Sequence, residues 1–122
     1  MPDNLQVLLM ETSSYALLAL EKFLTSRGYV PRCYSTGNEA WEALQSGVEC
    51  DVAIIYRGWD GSEDNSLARR VKELRPDLPV ISTTTESTPT EAADVTVYKP
   101  FPLKELEEAI ERVTRKPGNS RS

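Results

Sequence analysis

Tyr56 directly follows a run of four apolar residues, 52–55. Such a run is typical of a strand buried on both faces of a parallel sheet. In open α/β sheets, binding and catalytic groups lie beyond the carboxyl ends of the central strands, so a reactive side chain is expected at Tyr56. A tyrosine phenol has an ordinary pKa of about 10 and is mostly neutral at pH 7. Because the neutral phenol is a poor nucleophile, the sequence predicts little covalent chemistry at this strand end.

Other reactive side chains are scarce. The chain has no histidine, which excludes histidine-based triads, histidine ligands for zinc and histidine phosphotransfer within the chain. The two cysteines, Cys33 and Cys50, lack the spacing of a CxxC motif. We expect no disulfide between them, because the predicted sheet order places one strand between theirs, a separation of roughly 10 Å.

The composition is that of one soluble globular domain. The 122 residues are 39% hydrophobic and 27% charged. A net charge of -5 argues against a nucleic-acid surface, although residues 69–75 contain a local basic cluster. No apolar stretch has the length of a membrane span, and the first residues do not resemble a signal segment. We therefore predict a cytoplasmic protein that binds neither nucleic acid nor membrane.

The pattern of apolar residues predicts five strands and four helices. The strands are expected at 5–10, 29–34, 51–56, 79–83 and 95–99. The helices are expected from Ser13 or Ser14 to about Arg27, after the turn at 35–38, at 66–75 and at 103–114. Residues 84–93 lack apolar periodicity, which predicts a loop with at most one helical turn. The domain is expected to cover 1–114, followed by a disordered polar tail at 115–122.

The last two helices are expected to pack on the sheet through apolar faces. The helix at 66–75, preceded by a loop at 62–65, is expected to bury Leu67, Val71 and Leu74. The final helix carries an apolar stripe consisting of Leu103, Leu106, Ile110 and Val113.

Alternating strands and helices predict a parallel sheet with right-handed crossovers. Pro31 cannot donate a hydrogen bond to a neighbouring strand, so the second strand is placed at an edge. The first and third strands are the most apolar and are placed at the centre. The predicted fold is an open, flavodoxin-like sheet of five parallel strands in the order 2-1-3-4-5.

Several short motifs, taken in order, resemble those of response-regulator receiver domains over about residues 5–114. The most specific is KPF at 99–101, at the end of the fifth strand. Thr84 follows the fourth strand, where that family has a hydroxyl, and 28–29, 37–40 and 60–61 resemble further landmarks. The resemblance implies the flavodoxin-like fold and a role in two-component signal transduction. Because the segment between Thr84 and Lys99 is short, the family's fourth helix is expected to be short or missing.

The resemblance also assigns roles by position. In receiver domains two acidic residues after the first strand and one aspartate after the third bind Mg²⁺, and that aspartate accepts a phosphoryl group from a histidine kinase. Glu11 and Thr12 stand at the acidic pair, and Tyr56 stands at the acceptor. Thr84 and Lys99 stand where a hydroxyl and a lysine contact the phosphoryl oxygens. Mg²⁺ usually binds one or two carboxylates in a near-octahedral site, and a phenol cannot form an acyl phosphate. The resemblance therefore implies a degenerate pseudo-receiver without a metal, a cofactor or enzymatic activity.

Two arrangements of Tyr56 remain open. Its hydroxyl can bond Lys99 or Glu11 and fill the empty acidic pocket, or the ring can point outward at the strand end. We favour the first arrangement. Lys99 is expected to pair with Glu11, because a partly buried cation needs a partner.

The expected function is protein–protein binding in a signalling pathway, independent of phosphorylation. The expected surfaces are the last helix with the strand at 95–99, and the turn at 58–61 with Trp59. The family's aromatic switch position holds Thr96, and Tyr98 is expected to replace that aromatic on the same strand face. Phe101 is a third expected interaction residue. A homodimer through this altered face is left open.

Two other functions are kept as alternatives. One is an active phosphoacceptor in which Asp60 or Glu11 replaces the missing aspartate. The other is a binder of a nucleotide or another small molecule in the crevice at the carboxyl edge of the sheet. No glycine-rich phosphate loop supports this second alternative.

Overall fold

The computed structural model describes residues 4–57 and 62–114, and for 62–66 the backbone alone. The strands are β1 (Gln6–Met10), β2 (Val30–Tyr34), β3 (Val52–Arg57), β4 (Val80–Thr84) and β5 (Val95–Tyr98). The helices are α1 (Ser14–Ser26), α2 (Gly37–Gln45), α3 (Ser62–Leu74) and α4 (Leu103–Thr114). Within this part of the chain, every helix is too short or too polar to cross a membrane. The predictions for Trp59, Asp60 and the tail at 115–122 fall outside the described residues.

The five strands form one parallel sheet in the order β2-β1-β3-β4-β5, which confirms the predicted flavodoxin-like fold class. β2 lies at an edge, where Pro31 is tolerated because its outer side needs no ladder hydrogen bond. β1 and β3 lie inside the sheet, and residues 7–10 and 52–55 are buried. Since all strands are parallel, their carboxyl ends meet along one edge of the sheet.

Apolar clusters cover both faces of the sheet. The first cluster joins α1 and α4 to one face, through residues such as Leu24, Ile54 and Ile110. The second cluster joins α2 and α3 to the other face, through residues such as Ile55 and Val71. Strand residues alternate between the two clusters because side chains of a strand point to opposite faces in turn.

The ends of the first two helices follow their sequence signals. The Ser13 hydroxyl caps α1 by accepting a hydrogen bond from the Ala16 amide at 3.2 Å, as predicted. Thr36 caps α2 in the same way through the Glu39 amide at 3.1 Å. Gly28, just after α1, has φ +91°, a conformation that glycine adopts without strain.

Two predictions about the helices were wrong in part. α3 begins at Ser62, so residues 62–65 are helical and not a loop. Its first turn holds no apolar residue, and apolar periodicity therefore gives no signal there. Leu74, in the last turn, is 42% exposed. In α4 the predicted stripe holds at Leu106 and Ile110, whereas Leu103 in the first turn is 39% exposed.

The chain between β4 and β5 (residues 85–94, the β4–β5 connection) contains no helix in the structure, in agreement with the predicted loop. A single turn is closed by a hydrogen bond from the Ala93 amide to the Thr90 carbonyl at 3.1 Å. Ala92 and Ala93 pack against the second cluster. The connection therefore crosses the same face of the sheet as α2 and α3.

Candidate functional site

Four of the predicted site residues lie at the carboxyl edge of the sheet. Glu11 follows β1, Tyr56 is near the end of β3, Thr84 ends β4 and Lys99 follows β5. The parallel register sets Tyr56 beside Thr83 and Thr84 beside Tyr98. Three of these four residues meet in direct contacts.

Glu11 and Lys99 form a buried ion pair. The Lys99 ammonium donates to Glu11 Oε1 at 2.9 Å, and the two side chains are 22% and 1% exposed, respectively. The other carboxylate oxygen, Oε2, accepts a hydrogen bond from the Ser13 amide at 3.1 Å. Both carboxylate oxygens of Glu11 therefore accept hydrogen bonds. The bond to Oε1 is the pairing with Lys99 that was expected from the sequence.

Tyr56 contacts the same ammonium through its ring. Lys99 Nζ lies 4.2 Å from the ring centroid, a distance typical of a cation–π interaction. The ring is half-buried and packs against the second cluster. Tyr56 therefore contacts Lys99 through its ring and not through its hydroxyl, which differs from the predicted hydrogen bond to Lys99 or Glu11.

The two hydroxyl positions differ in their surroundings. Thr84 is fully buried, and its Oγ1 accepts a hydrogen bond from the Glu86 amide at 2.9 Å, which fixes the start of the β4–β5 connection. Thr12 is exposed. The Thr84 hydroxyl is therefore engaged in a local hydrogen bond, and Thr12 is exposed to solvent.

The described site residues do not fit Mg²⁺. That ion needs near-octahedral oxygen ligands, usually with one or two carboxylates. Glu11 is the one carboxylate among the four residues, and its two oxygens are held by Lys99 and the Ser13 amide. Among the described residues, no group of three acidic, histidine or cysteine side chains is placed to hold a metal.

Arg57 is a site residue that the sequence analysis missed. It is 7% exposed at the end of β3, and its Nη2 donates to the Thr88 carbonyl at 2.6 Å. Its Nη1 reaches the Pro89 carbonyl at 3.4 Å. Its Nε is buried and has no hydrogen-bond partner among the described residues. An arginine shortly after a buried apolar run was the available signal, but the predicted strand ended at residue 56 and Arg57 was given no role.

Hydrogen bonds of hydroxyl groups also hold the β4–β5 connection against β4 and β5 near Thr90. The hydroxyls of Ser82 and Thr90 are 2.7 Å apart, and both residues are buried. The Thr90 amide donates to Thr96 Oγ1 at 3.0 Å. Thr96 therefore holds the connection in place.

The predicted interaction residues fall into different environments. Tyr98 is 41% exposed on β5, the edge strand opposite β2. Phe101 is partly buried and packs against the first cluster.

The cysteines are poorly suited to nucleophilic chemistry. Both are free thiols in half-buried positions. Burial, reinforced by the nearby Glu21 carboxylate, raises the pKa of Cys33 to about 11. Burial also raises the pKa of Cys50, partly opposed by Arg75. Thiolate is the reactive form, so both groups are unreactive at neutral pH.

Two large described cavities lie away from the carboxyl edge. One, of about 590 Å³, is lined by residues such as Cys50, Asp51 and Pro79 at the amino ends of the strands. Another, of about 630 Å³, is lined by Tyr29 and Thr114 among others.

No protein-family model and no curated protein matches the chain. Among solved structures, a response regulator from Thermotoga maritima is similar at 22% identity with a TM-score of 0.80, over 93% of this chain and 99% of that one. A CheY-like receiver domain from Methanospirillum hungatei is similar at 18% identity with a TM-score of 0.84, over 93% and 95%. The chain has the fold of a receiver domain. A third similar structure, at 24% identity and a TM-score of 0.80 over 89% and 98%, is the Thermotoga maritima response regulator TrrA in complex with Mg²⁺ and beryllofluoride.

Two described features bear on the expectations from the sequence. The β4–β5 connection contains no helix and packs against the second cluster, in agreement with the expected short or missing helix there. At the carboxyl edge, the Tyr56 ring lies in contact with the Lys99 ammonium.

Proposed function

We propose that this protein is a signalling interaction module that binds a protein partner and is not switched by phosphorylation at its sheet edge, a pseudo-receiver. The observation that carries the proposal is at the acceptor position, where the Tyr56 ring lies against the Lys99 ammonium. Acyl phosphate formation needs a carboxylate, and tyrosine has none. Glu11, the nearby carboxylate, already uses both oxygens in hydrogen bonds.

The proposed binding surface consists of β5 and α4, together with the segment 58–61, which contains Trp59 and is predicted from the sequence to be a turn. Tyr98 and Leu103 on this surface are 41% and 39% exposed. Large aromatic side chains are enriched among residues that dominate binding energy. We propose that Phe101 supports this surface from the core side, because it packs against the first cluster.

The proposed partner is a protein of a signalling pathway, with a second copy of this chain as the alternative. Nucleic acid and membrane are not proposed partners, and neither a cofactor nor an enzymatic activity is part of the proposal. The proposed location is the cytoplasm.

Incubation with acetyl phosphate and Mg²⁺, followed by intact mass measurement, tests the proposal. We expect no gain in mass, while a phosphorylatable receiver domain in a parallel reaction gains one phosphoryl group. A phosphoryl gain by the wild-type chain would contradict the proposal. Mapping the modified residue would then identify the substitute acceptor, and loss of the gain in Asp60→Asn would assign it to Asp60.

Partner binding is tested separately by affinity capture with the full chain. We expect Tyr98→Ala to reduce capture of the partner, whereas Tyr15→Ala, a change at an 85% exposed tyrosine on α1, leaves it unchanged. Equal capture by wild type and Tyr98→Ala would remove β5 from the proposed surface.

A further inference from the structure

β4 and the β4–β5 connection carry hydroxyl groups of two kinds. Four are buried to 3% exposure or less, namely those of Ser82, Thr83, Thr84 and Thr90. Thr85, Ser87 and Thr88 are exposed. A protein kinase can act only on the exposed kind, because the hydroxyl must enter the kinase active site.

Thr88 differs from the other two exposed residues in its neighbours. Arg57 Nη2 lies 2.6 Å from the Thr88 carbonyl oxygen and 3.4 Å from its hydroxyl oxygen. Among the described residues, neither Thr85 nor Ser87 has a hydrogen bond to a cationic side chain. Thr88 is also followed by Pro89, and of the 8 prolines in the chain this is the one preceded by a serine or threonine.

Arg57 has spare capacity for an anion. The residue is 7% exposed, and its described hydrogen-bond partners, on Thr88 and Pro89, are neutral oxygens. Its Nε–H has no partner in the described part of the chain. The ion pairs among the described residues do not include Arg57. A buried cation without an anionic partner is unfavourable, and a phosphate offers three acceptor oxygens in a geometry that suits a guanidinium.

We propose that Thr88 is a phosphorylation site for a Ser/Thr protein kinase and that Arg57 holds the phosphothreonine. In this step Thr88 Oγ1 attacks the γ-phosphorus of ATP, the bond to the β–γ bridging oxygen breaks, and ADP leaves. The hydroxyl proton passes to the catalytic base of the kinase. The β4–β5 connection is then held to β3 by hydrogen bonds between the guanidinium and a phosphate anion, in addition to bonds from the guanidinium to neutral oxygens. This input is independent of aspartyl phosphate and goes beyond the function proposed above.

Site selection is tested with the full chain, ATP and a proline-directed Ser/Thr kinase, read by intact mass and peptide mapping. We expect one phosphoryl group per chain on Thr88, none in Thr88→Ala, and unchanged incorporation in Thr85→Ala and Ser87→Ala. No incorporation into the wild type, or incorporation that Thr88→Ala leaves unchanged, would overturn the proposal. Acetyl phosphate plays no part in this assay, so its result is separate from the test of the pseudo-receiver.

The role of Arg57 is tested by ³¹P NMR titration of chains with phosphothreonine installed at position 88 or at position 85. A phosphothreonine ordinarily has its second pKa at about 6. We expect the second pKa of phosphothreonine at position 88 to be at least about half a unit lower than at position 85, because a cation within about 6 Å favours the dianion. This difference is a threefold or larger change in proton affinity. Arg57→Gln is expected to abolish the difference. Equal pKa values at 85 and 88 in the wild-type background would overturn the assignment even if the Arg57 variant does not fold.

Discussion

Replacement of Lys99 by methionine tests the central ion pair. The substitution keeps most of the side-chain volume but leaves the Glu11 carboxylate, which is 1% exposed, without its cation. Removing one partner of a buried pair costs about 3–5 kcal/mol. The Ser13 amide still donates to Oε2, and Lys99 is 22% exposed, so we expect a loss near the lower limit, about 3 kcal/mol in the free energy of unfolding.

Urea denaturation of three variants measures this loss. Lys99→Met is expected to unfold at markedly lower urea than wild type, and Glu11→Gln/Lys99→Met is expected to recover at least about 1.5 kcal/mol. Lys104→Met, at an exposed lysine in the first turn of α4, serves as the control and is expected to change stability by less than about 0.5 kcal/mol. The reasoning would be refuted if Lys99→Met changed the free energy of unfolding by less than about 0.5 kcal/mol. It would also be refuted if the double variant were no more stable than Lys99→Met.

Three further predictions concern the connection, a thiol and a cap. Arg57→Met should speed amide exchange in residues 85–94 more than in β1, measured by hydrogen exchange, because it removes the bonds to Thr88 and Pro89. Burial raises the pKa of folded Cys33 from 9.0 to about 11, so this thiol should contribute no pH dependence to stability below pH 9 and should lower stability as the pH rises from 9 to 11. Urea midpoints between pH 9 and 11 should therefore show a smaller fall in Cys33→Ser. Ser13→Ala should cost about 1 kcal/mol by thermal unfolding, through loss of the α1 cap.

The sheet order could be predicted because its signals are local and strong. Pro31 excludes β2 from the interior, and the buried runs in β1 and β3 favour central positions. Two other features also had local signals. The cap of α1 was predicted at Ser13 or Ser14 from a capping side chain, and the absence of a helix before β5 was predicted from the lack of apolar periodicity. Such features depend on neighbours along the chain and not on the tertiary structure.

The features that could not be predicted depend on contacts between distant residues. Arg57 binds backbone carbonyls 31 and 32 positions away, and the sequence does not mark a carbonyl as a partner. The Tyr56 hydroxyl was expected to bond Lys99 or Glu11, whereas the packing of the ring places its face under the Lys99 ammonium. The first turn of α3 was missed because it lacks apolar residues and gives no periodic signal.

Titration of the full chain with Mg²⁺ and beryllofluoride, followed by amide chemical shifts, tests the central claim most directly. The claim is that the receiver edge formed by Glu11, Tyr56, Thr84 and Lys99 does not respond to a phosphoryl analogue. We predict no change at the amides of Thr84 and Lys99 under conditions that saturate a phosphorylatable receiver domain. Saturable shifts at both amides would show a working phosphoryl site and would contradict the claim.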